Sequence, residues 1–189
     1  YTITHKGKLA TVLEDAGIEV IEPFLASALR KLPPLVRKPI LLLSSVPSFC
    51  ILLLKLRPKI VHFFLPEAYL LGGLCSLAFG NRIRIMSRRS LNRYQLKYPF
   101  FARVERWLHP RMNAVLGNSK AVVKELREEE VKEDRLGLLY NGIDLTVLND
   151  LPARGSVRQS LGISERAKLI VCVANLIPYK GHADLIHAL

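Results

Sequence analysis

The residues Val171 to Leu189 read VCVANLIPYKGHADLIHAL, and this stretch sets the expected fold class of the chain. The apolar run from Leu169 to Ala174 has the length of a buried strand, and apolar residues after position 182 recur at helical spacing. Lys180 and Gly181 stand where the predicted helix begins. Helix-start amides and the helix dipole favour negative charge, and Gly181 has no side chain to hold a ligand away. The stretch therefore predicts a phosphate site.

Both ends of the sequence indicate an internal piece of a longer protein. The chain begins at Tyr1 rather than Met, and it ends at Leu189 inside the predicted helix, before any capping residue. A helix with one apolar face covers a strand that itself needs neighbouring strands. We therefore expect further strands outside this stretch.

The composition is that of a globular protein. The 189 residues are 50% hydrophobic and 23% charged, which excludes a disordered chain. This length accommodates one full domain and part of another.

Positive charge is concentrated in one segment. Lys and Arg number 28 against 16 Asp and Glu, for a net charge of +12. Between Arg82 and Arg111 there are nine basic residues against Glu105 alone, an excess of eight. Such a segment attracts phosphates, an acidic membrane surface or nucleic acid, although a solvated basic surface gives the same pattern. Tyr94, Tyr98 and Phe101 lie within it at helical spacing, which favours core packing over base stacking.

Cysteine and histidine give little sign of a metal centre or a disulfide framework. Cys50, Cys75 and Cys172 are far apart, each within an apolar run, as small buried residues in a reducing compartment would be. The five His residues form no ligand pair with Glu or Cys, so no zinc site is indicated.

The longest apolar stretch, PILLLSSVPSFCILLL from Pro39 to Leu54, is short for a membrane span at sixteen residues. Pro47 would break a spanning helix. We predict a loop or short strand followed by a helix over residues 48–56.

Strands and helices are predicted to alternate along the chain. Strands are predicted at 18–21, 59–64, 82–86, 113–116, 136–140 and 169–174, and helices at 8–16, 24–31, 48–56, 68–79, 95–109, 120–129 and after 181. Ser119 is the predicted N-cap of the helix at 120–129. The alternation predicts an α/β fold with a doubly wound parallel sheet.

Ligands of such folds bind at the carboxyl ends of the strands. The loops at 64–67, 87–93, 117–120, 141–144 and 175–181 follow predicted strands and are rich in polar and basic residues. An anionic ligand would require such loops.

Four stretches carry a resemblance to a known family. They are IVHFFLPEAYLLGG (60–73), GNSKAVVKEL (117–126), YNGID (140–144) and VANLIPYKGHADLIHAL (173–189). In this order and spacing they resemble family 4 of the retaining glycosyltransferases. Each motif alone is weak, but four in sequence over roughly residues 5–189 make the resemblance specific.

The resemblance implies a GT-B architecture of two Rossmann-like domains. Residues 1–145 would form the acceptor-side N-terminal domain without its first strand, 146–166 a linker, and 167–189 the first strand–helix unit of the nucleotide-sugar domain. A pair of Glu residues that grips the donor would lie beyond Leu189. The chain by itself is therefore expected to be inactive.

The implied reaction transfers a sugar from a nucleoside-diphosphate donor to an acceptor hydroxyl, with retention and without a cofactor. Negative charge builds on the departing diphosphate, so a cation held there stabilises the transition state. Lys180 is the candidate catalytic residue, with Asn175 and Gly181 beside it at the donor.

The sequence departs from the family pattern at two positions. Asn175 stands where many relatives have an Arg, so we expect Arg88 or Arg89 to supply the missing charge. Phe64 stands where many relatives have the second His of a His-x-His pattern, so no catalytic base is assigned. His62 is interpreted either as a substrate-orienting residue or as a core His.

The remaining candidates have less specific roles. Glu67 is placed near acceptor hydroxyls, although a surface Glu is the simpler interpretation. Ser87, Arg88 and Arg89 belong to a loop of donors suited to phosphate or sugar hydroxyls, or to a solvated basic loop. Asn141, Gly142 and Asp144 are interpreted as structural residues of a hinge.

The expected partners are a nucleotide sugar, a glycan or lipid-linked acceptor and an anionic membrane surface, at a cytoplasmic location. Nucleic acid is disfavoured. The competing hypotheses are a basic module that binds membranes or nucleic acid without chemistry, and a non-catalytic relative.

Overall fold

The computed structural model describes residues 1–3, 6–7, 9–80, 83–177 and 180–189, apart from the side chains of Val147 and Arg154. Lys8, Arg82 and Pro178, which belong to predicted elements or loops, lie outside the described residues. The chain divides into two compact units, Tyr1–Asn141 and Gly142–Leu189.

The first unit alternates helices and strands. Its elements are α1 (Ala10–Asp15), α2 (Pro34–Leu56), β1 (Ile60–Phe64), α3 (Pro66–Leu77), β2 (Ile83–Arg88), α4 (Arg93–Lys97), α5 (Pro99–Leu108), β3 (Ala114–Gly117), α6 (Lys120–Glu128) and β4 (Leu136–Leu138). Ser119 caps α6 as predicted, because its side chain accepts a hydrogen bond from the Val122 amide at 3.2 Å.

The four strands form one parallel sheet in the order β1-β2-β3-β4. This confirms the predicted α/β class with a parallel, Rossmann-like sheet. One face carries the row Phe63, Met86, Val115 and Leu136, which pairs across all four strands and belongs to the core. Helices contribute Leu53, Tyr69, Leu108 and Leu126 to the same core.

Close packing between α3 and the sheet depends on a glycine. A Cβ built on Gly72 would lie 2.6 Å from Cε1 of Phe63, a distance that no side chain tolerates. Gly72 therefore allows α3 to pack closely against β1.

The predicted break at Pro47 is wrong, because α2 runs unbroken for 23 residues with Pro39 and Pro47 inside it. An interior Pro costs about 3 kcal/mol. Packing of α2 on α3 and burial of Leu41 and Leu53 outweigh this cost. By length and composition alone α2 could cross a membrane, and a core helix of a soluble protein passes the same test.

Other boundaries also differ from the predictions. The helix predicted at 95–109 is two helices, because Pro99 lacks an N–H and disfavours the helical conformation at Tyr98 (φ −129°, ψ 73°). Strand β2 extends through Arg88, so Ser87 and Arg88 are strand rather than loop residues. Residues 18–21 form no strand, and residues 24–31 form turns instead of a helix.

The second unit contains helices but no strand in its described part. A 3₁₀ turn at Thr146–Leu148, α7 (Arg154–Ser160) and α8 (His182–His187) are present. The helix predicted after Gly181 is confirmed, whereas the strand predicted at 169–174 is wrong. Leu169 is 46% exposed and Val173 is 93% exposed, because no neighbouring strand is present there to pair with this segment.

Among the described residues, β1 has a strand partner on one side only. A cavity of about 330 Å³ with mostly apolar walls extends beside it and is lined by residues of α2, β1 and α3. The edge strand and this cavity leave apolar surface uncovered on the first unit.

Candidate functional site

The polar residues at the carboxyl edge of the sheet lie on its two faces according to the alternation of side chains along each strand. The register pairs Phe64 with Ser87, and Arg88 with Gly117. Side chains of neighbouring strand residues point to opposite faces. Ser87 therefore lies on the same face as His62 and Phe64, whereas Arg88 points to the helix-covered core.

His62, which is half-buried, and Ser87, which is buried, form a pair at this edge. Nε2 of His62 and Oγ of Ser87 lie 2.7 Å apart in a hydrogen bond. The His62 ring packs on the Phe64 ring with centroids 4.2 Å apart. Burial, together with the charge of Arg89, holds the pKa of His62 below its ordinary value. A neutral imidazole both donates and accepts a hydrogen bond, so it suits a sugar hydroxyl.

Arg89 is the exposed cation of this edge. Its guanidinium carbon lies 5.7 Å from the centroid of the Phe64 ring. Nδ2 of Asn118 donates to the Arg89 carbonyl at 3.1 Å and to Oδ1 of Asn141 at 3.4 Å. The structure thus brings His62, Ser87, Arg89 and Asn141 to one edge. Asn118 belongs to the same edge. The sequence interpretation did not name it as a site residue, although it lies in the quoted GNSKAVVKEL motif.

The loop after β1 contains a strained residue. Leu65 has φ +71° and ψ 154°, a combination that is almost restricted to glycine. It stands between β1 and the first turn of α3, where Glu67 is exposed. Strain of this kind clusters at functional sites.

Arg88 does not belong to the exposed edge, and this corrects the expectation that it faces a ligand. It is 5% exposed, and its guanidinium binds two buried carboxylates. Nη2 lies 2.7 Å from Oε2 of Glu105, while Nη1 and Nη2 donate to the two oxygens of Glu129 at 2.5 and 2.8 Å. Burial opposes the charge of Arg88, but the hydrogen bond and charge of Glu129 outweigh it and raise its pKa.

Further polar side chains complete this buried cluster. Gln95 donates to Oε2 of Glu105 at 2.7 Å, and the Tyr94 hydroxyl donates to Oε1 of the same carboxylate. His109 Nε2 lies 3.1 Å from Oε2 of Glu129, and its Nδ1 lies 3.0 Å from the Tyr69 hydroxyl. Because a carboxylate only accepts, Nε2 of His109 carries a proton. Burial raises the pKa of the Tyr69 hydroxyl, so it remains protonated.

Glu105, His109 and Glu129 bring potential ligand atoms within 4.8 Å of one another, as a metal site would. The guanidinium of Arg88 already binds both carboxylates. A cation here would be repelled by Arg88, so this donor set does not suit a metal ion.

The donor-side candidates lie in the second unit. Lys180 is exposed, and Gly181 has φ +71° at the N-cap of α8. The carbonyl of Asn175 lies 2.9 Å from Nε2 of His182 and accepts a hydrogen bond from it. The structure therefore presents these residues on a loop and helix, without the strand that was expected to precede them.

The hinge candidates have a local structural role. Oδ1 of Asp144 accepts hydrogen bonds from the Thr146 hydroxyl at 2.7 Å and from its amide at 2.9 Å. These hydrogen bonds lower the pKa of Asp144. Asp144 thus braces the backbone where the 3₁₀ turn begins, and Gly142 is exposed with open space around its Cα.

The basic segment forms an exposed surface, here called the α4–α5 surface. It combines six exposed cations with large apolar side chains, and Leu96 is 83% and Phe100 69% exposed. The guanidinium carbon of Arg111 lies 3.6 Å from the centroid of the Trp107 ring. The cations are Arg89, Arg93, Lys97, Arg103, Arg106 and Arg111.

The parallel sheet, its helices and the polar carboxyl edge define a Rossmann-like α/β unit of the type found in GT-B glycosyltransferases. The profile of Glycosyltransferase Family 4 matches residues 9–147, which is more than half of the sequence. The chain belongs to Glycosyltransferase Family 4, and the resemblance carried by the sequence motifs is confirmed.

Solved structures support the same fold. The chain is similar to the Anabaena protein Alr3699/HepE in complex with UDP, with a TM-score of 0.60 and 19% identity. The chain is also similar to HepE in complex with UDP and glucose, with a TM-score of 0.56 and 21% identity. The matches cover 84% of this chain but only 40% and 41% of HepE, so the chain spans less than half of that protein's length. A comparison with curated proteins gave no significant match.

Proposed function

We propose that the full-length protein transfers a hexose from a nucleoside-diphosphate donor to an acceptor hydroxyl with retention of the anomeric configuration. Membership of Glycosyltransferase Family 4 is the observation that carries this proposal. HepE, which shares the fold, was crystallised with UDP and with UDP and glucose. A uridine nucleotide sugar is therefore the first donor to test.

The proposed roles follow from the charges and hydrogen-bonding groups of the candidate residues. The Lys180 ammonium stabilises the charge that develops on the leaving diphosphate, and the Asn175 side-chain amide donates a hydrogen bond to it. Gly181 permits close approach of the ligand. The His62–Ser87 pair and Glu67 offer donors and acceptors to the hydroxyls of the acceptor sugar. The chain alone is proposed to be inactive.

Ligand binding gives the direct test of the proposed function. We expect UDP-glucose to raise the melting temperature of the full-length protein, with about 2.7 kcal/mol of stabilisation at a hundredfold excess over Kd. Glucose alone serves as the control. Absence of a shift with UDP-, GDP- and ADP-sugars alike, together with absence of sugar transfer, would contradict the proposal.

The α4–α5 surface supports a second role, docking on an anionic membrane at the cytoplasmic face. Six exposed cations accompany Leu96 and Phe100 there, and no acidic residue other than the buried Glu105 lies between residues 89 and 111. Cations attract anionic headgroups, and apolar side chains insert among the acyl chains. This combination also suits an enzyme whose acceptor is linked to a lipid.

Vesicle co-sedimentation tests the docking role. We expect binding to phosphatidylcholine vesicles only when phosphatidylglycerol is included, and release by salt. Loss of one cation, as in Arg103→Ala, should cost about 1 kcal/mol of binding energy. Phe100→Ser should weaken binding, whereas Ile143→Ser, at another exposed apolar residue, should not. Absence of binding at low salt, or a preference for DNA over vesicles, would overturn this role.

A further inference from the structure

The exposed loop that carries Arg89 lies between two residues held by one buried carboxylate. Glu129 directly follows α6 and is 5% exposed. Its Oε1 accepts from Arg88 Nη1 at 2.5 Å and from Asn92 Nδ2 at 3.0 Å, and its Oε2 accepts from Arg88 Nη2 at 2.8 Å. Arg88 precedes the three-residue segment Arg89–Leu91, and Asn92 follows it. Glu129 therefore holds both ends of this segment.

Two further hydrogen bonds hold the same segment. Oε2 of Glu125, on α6, accepts from the backbone N–H of Asn92 at 3.0 Å. Asn118 Nδ2 donates to the carbonyl of Arg89 at 3.1 Å. The backbone is thus held at both ends and at Arg89 itself, while the Arg89 side chain remains exposed.

We propose that Glu129 is a positioning residue that holds Arg89 at the carboxyl edge of the sheet to bind a phosphate of the substrate. This inference rests on the proposed sugar-transfer function. Glu129 is buried and acts on this segment through Arg88 and Asn92, while its Oε2 also accepts hydrogen bonds from Gln95 at 3.3 Å and His109 at 3.1 Å. Ordering a loop side chain in advance removes part of the entropy cost of binding. The fixed backbone places the Arg89 guanidinium, a planar fork of donors for phosphate oxygens, near the Phe64 ring at this edge.

Hydrogen exchange and kinetics of the full-length protein test this role. In Glu129→Gln we expect the amide of Asn92, which donates to Glu125 at 3.0 Å, to exchange about tenfold faster than in the parent protein. The KM for UDP-glucose should rise about tenfold, with a smaller change in kcat, as expected for lost binding. Glu128→Gln is the matched control, because Glu128 is the exposed neighbour and pairs with the exposed Lys124 at 3.9 Å.

A double-mutant cycle separates positioning from general stability. Arg89→Ala should raise KM by a similar factor, and Glu129→Gln should add nothing in the Arg89→Ala background, because both act through one contact. If Glu129→Gln fails to fold, Asn92→Ala removes one hydrogen bond of the same carboxylate and leaves its pairs with Arg88 intact. Asn92→Ala should raise the exchange rate and the KM in the same direction, but by smaller factors.

The outcomes distinguish the two proposals. Unchanged exchange of the Asn92 amide in a folded Glu129→Gln protein would refute the positioning role. Multiplicative effects on KM of the Glu129 and Arg89 substitutions would refute it as well, with the parent enzyme still active. A parent protein that neither binds nor turns over any nucleotide sugar would refute the proposed function, and with it a role in substrate binding.

Discussion

Replacing Lys180 with Met is expected to lower kcat of the full-length enzyme by about 100- to 1,000-fold, the usual cost of removing one group that stabilises transition-state charge. Met keeps a side chain of similar length but has no ammonium. The leaving diphosphate gains negative charge as its bond to the sugar breaks, so the loss falls more on kcat than on donor binding. Steady-state kinetics with a saturating donor measure it.

Lys168 provides the control for this substitution. It is also an exposed lysine of the second unit, and it lies outside the loop at 175–181. Lys168→Met should leave kcat unchanged. If Lys180→Met were as fast as the parent enzyme, Lys180 would not be the catalytic cation.

The substitution Arg88→Met is expected to destabilise the first unit by about 3–5 kcal/mol, the cost of leaving buried charge without its partner. Met has an unbranched apolar side chain and fills much of the same space. The carboxylates of Glu105 and Glu129, 1% and 5% exposed, would then face each other without the guanidinium. Urea unfolding measures the change.

Arg89→Met is the control for this experiment, because the neighbouring guanidinium is exposed and should change stability by about 0.5 kcal/mol or less. A stable Arg88→Met protein would show that the two carboxylates tolerate burial without Arg88. The paired substitutions thus separate the internal role of Arg88 from the surface role of Arg89.

The destabilisation by Arg88→Met should also depend on pH. Burial opposes ionisation of Glu129, but hydrogen bonds from His109 and Arg88 outweigh it and hold its pKa well below the ordinary value of 4.5. A carboxyl with a depressed pKa in the folded state stabilises the protein above its unfolded-state pKa, and this contribution is lost as the pH falls. The difference between parent and variant should therefore shrink below about pH 4.5.

Hydrophobic pattern and turn residues predicted the sheet well, because a parallel strand buried on both faces is a short apolar run and a helix has a periodic apolar face. Strands β1 to β4 and helix α6 lie within a few residues of their predicted positions. Helix α2 was missed in part because its prolines are strong local signals, and only packing on α3 outweighs them.

The exposed edge could be predicted only in part. Ser87, Arg89 and Asn141 were candidates because they follow predicted strands, and His62 because it matches the first His of the family's His-x-His pattern. Arg88 was misplaced because β2 was ended at Met86. Had the predicted strand been two residues longer, the alternation of side chains along it would have placed Ser87 and Arg88 on opposite faces of the sheet.

The buried cluster around Arg88 was not predictable from the sequence. Its hydrogen bonds join residues 10 to 41 positions apart, such as Gln95 with Glu105 and Arg88 with Glu129. The local sequence pattern indicates only a basic segment, Arg82 to Arg111, that contains a single acidic residue, Glu105. The pairing arises when α5 and α6 pack on the same side of the sheet, which no short-range signal reports.

The free side of β1 bears on how this chain behaves when it is produced alone. Ile60–Phe64 is an apolar strand whose outer backbone N–H and C=O groups have no strand partner among the described residues. An apolar strand edge that stays unpaired is a template for intermolecular β-pairing. Production of the isolated chain should therefore favour inclusion bodies, and a solubilising fusion partner should be needed to keep it monodisperse.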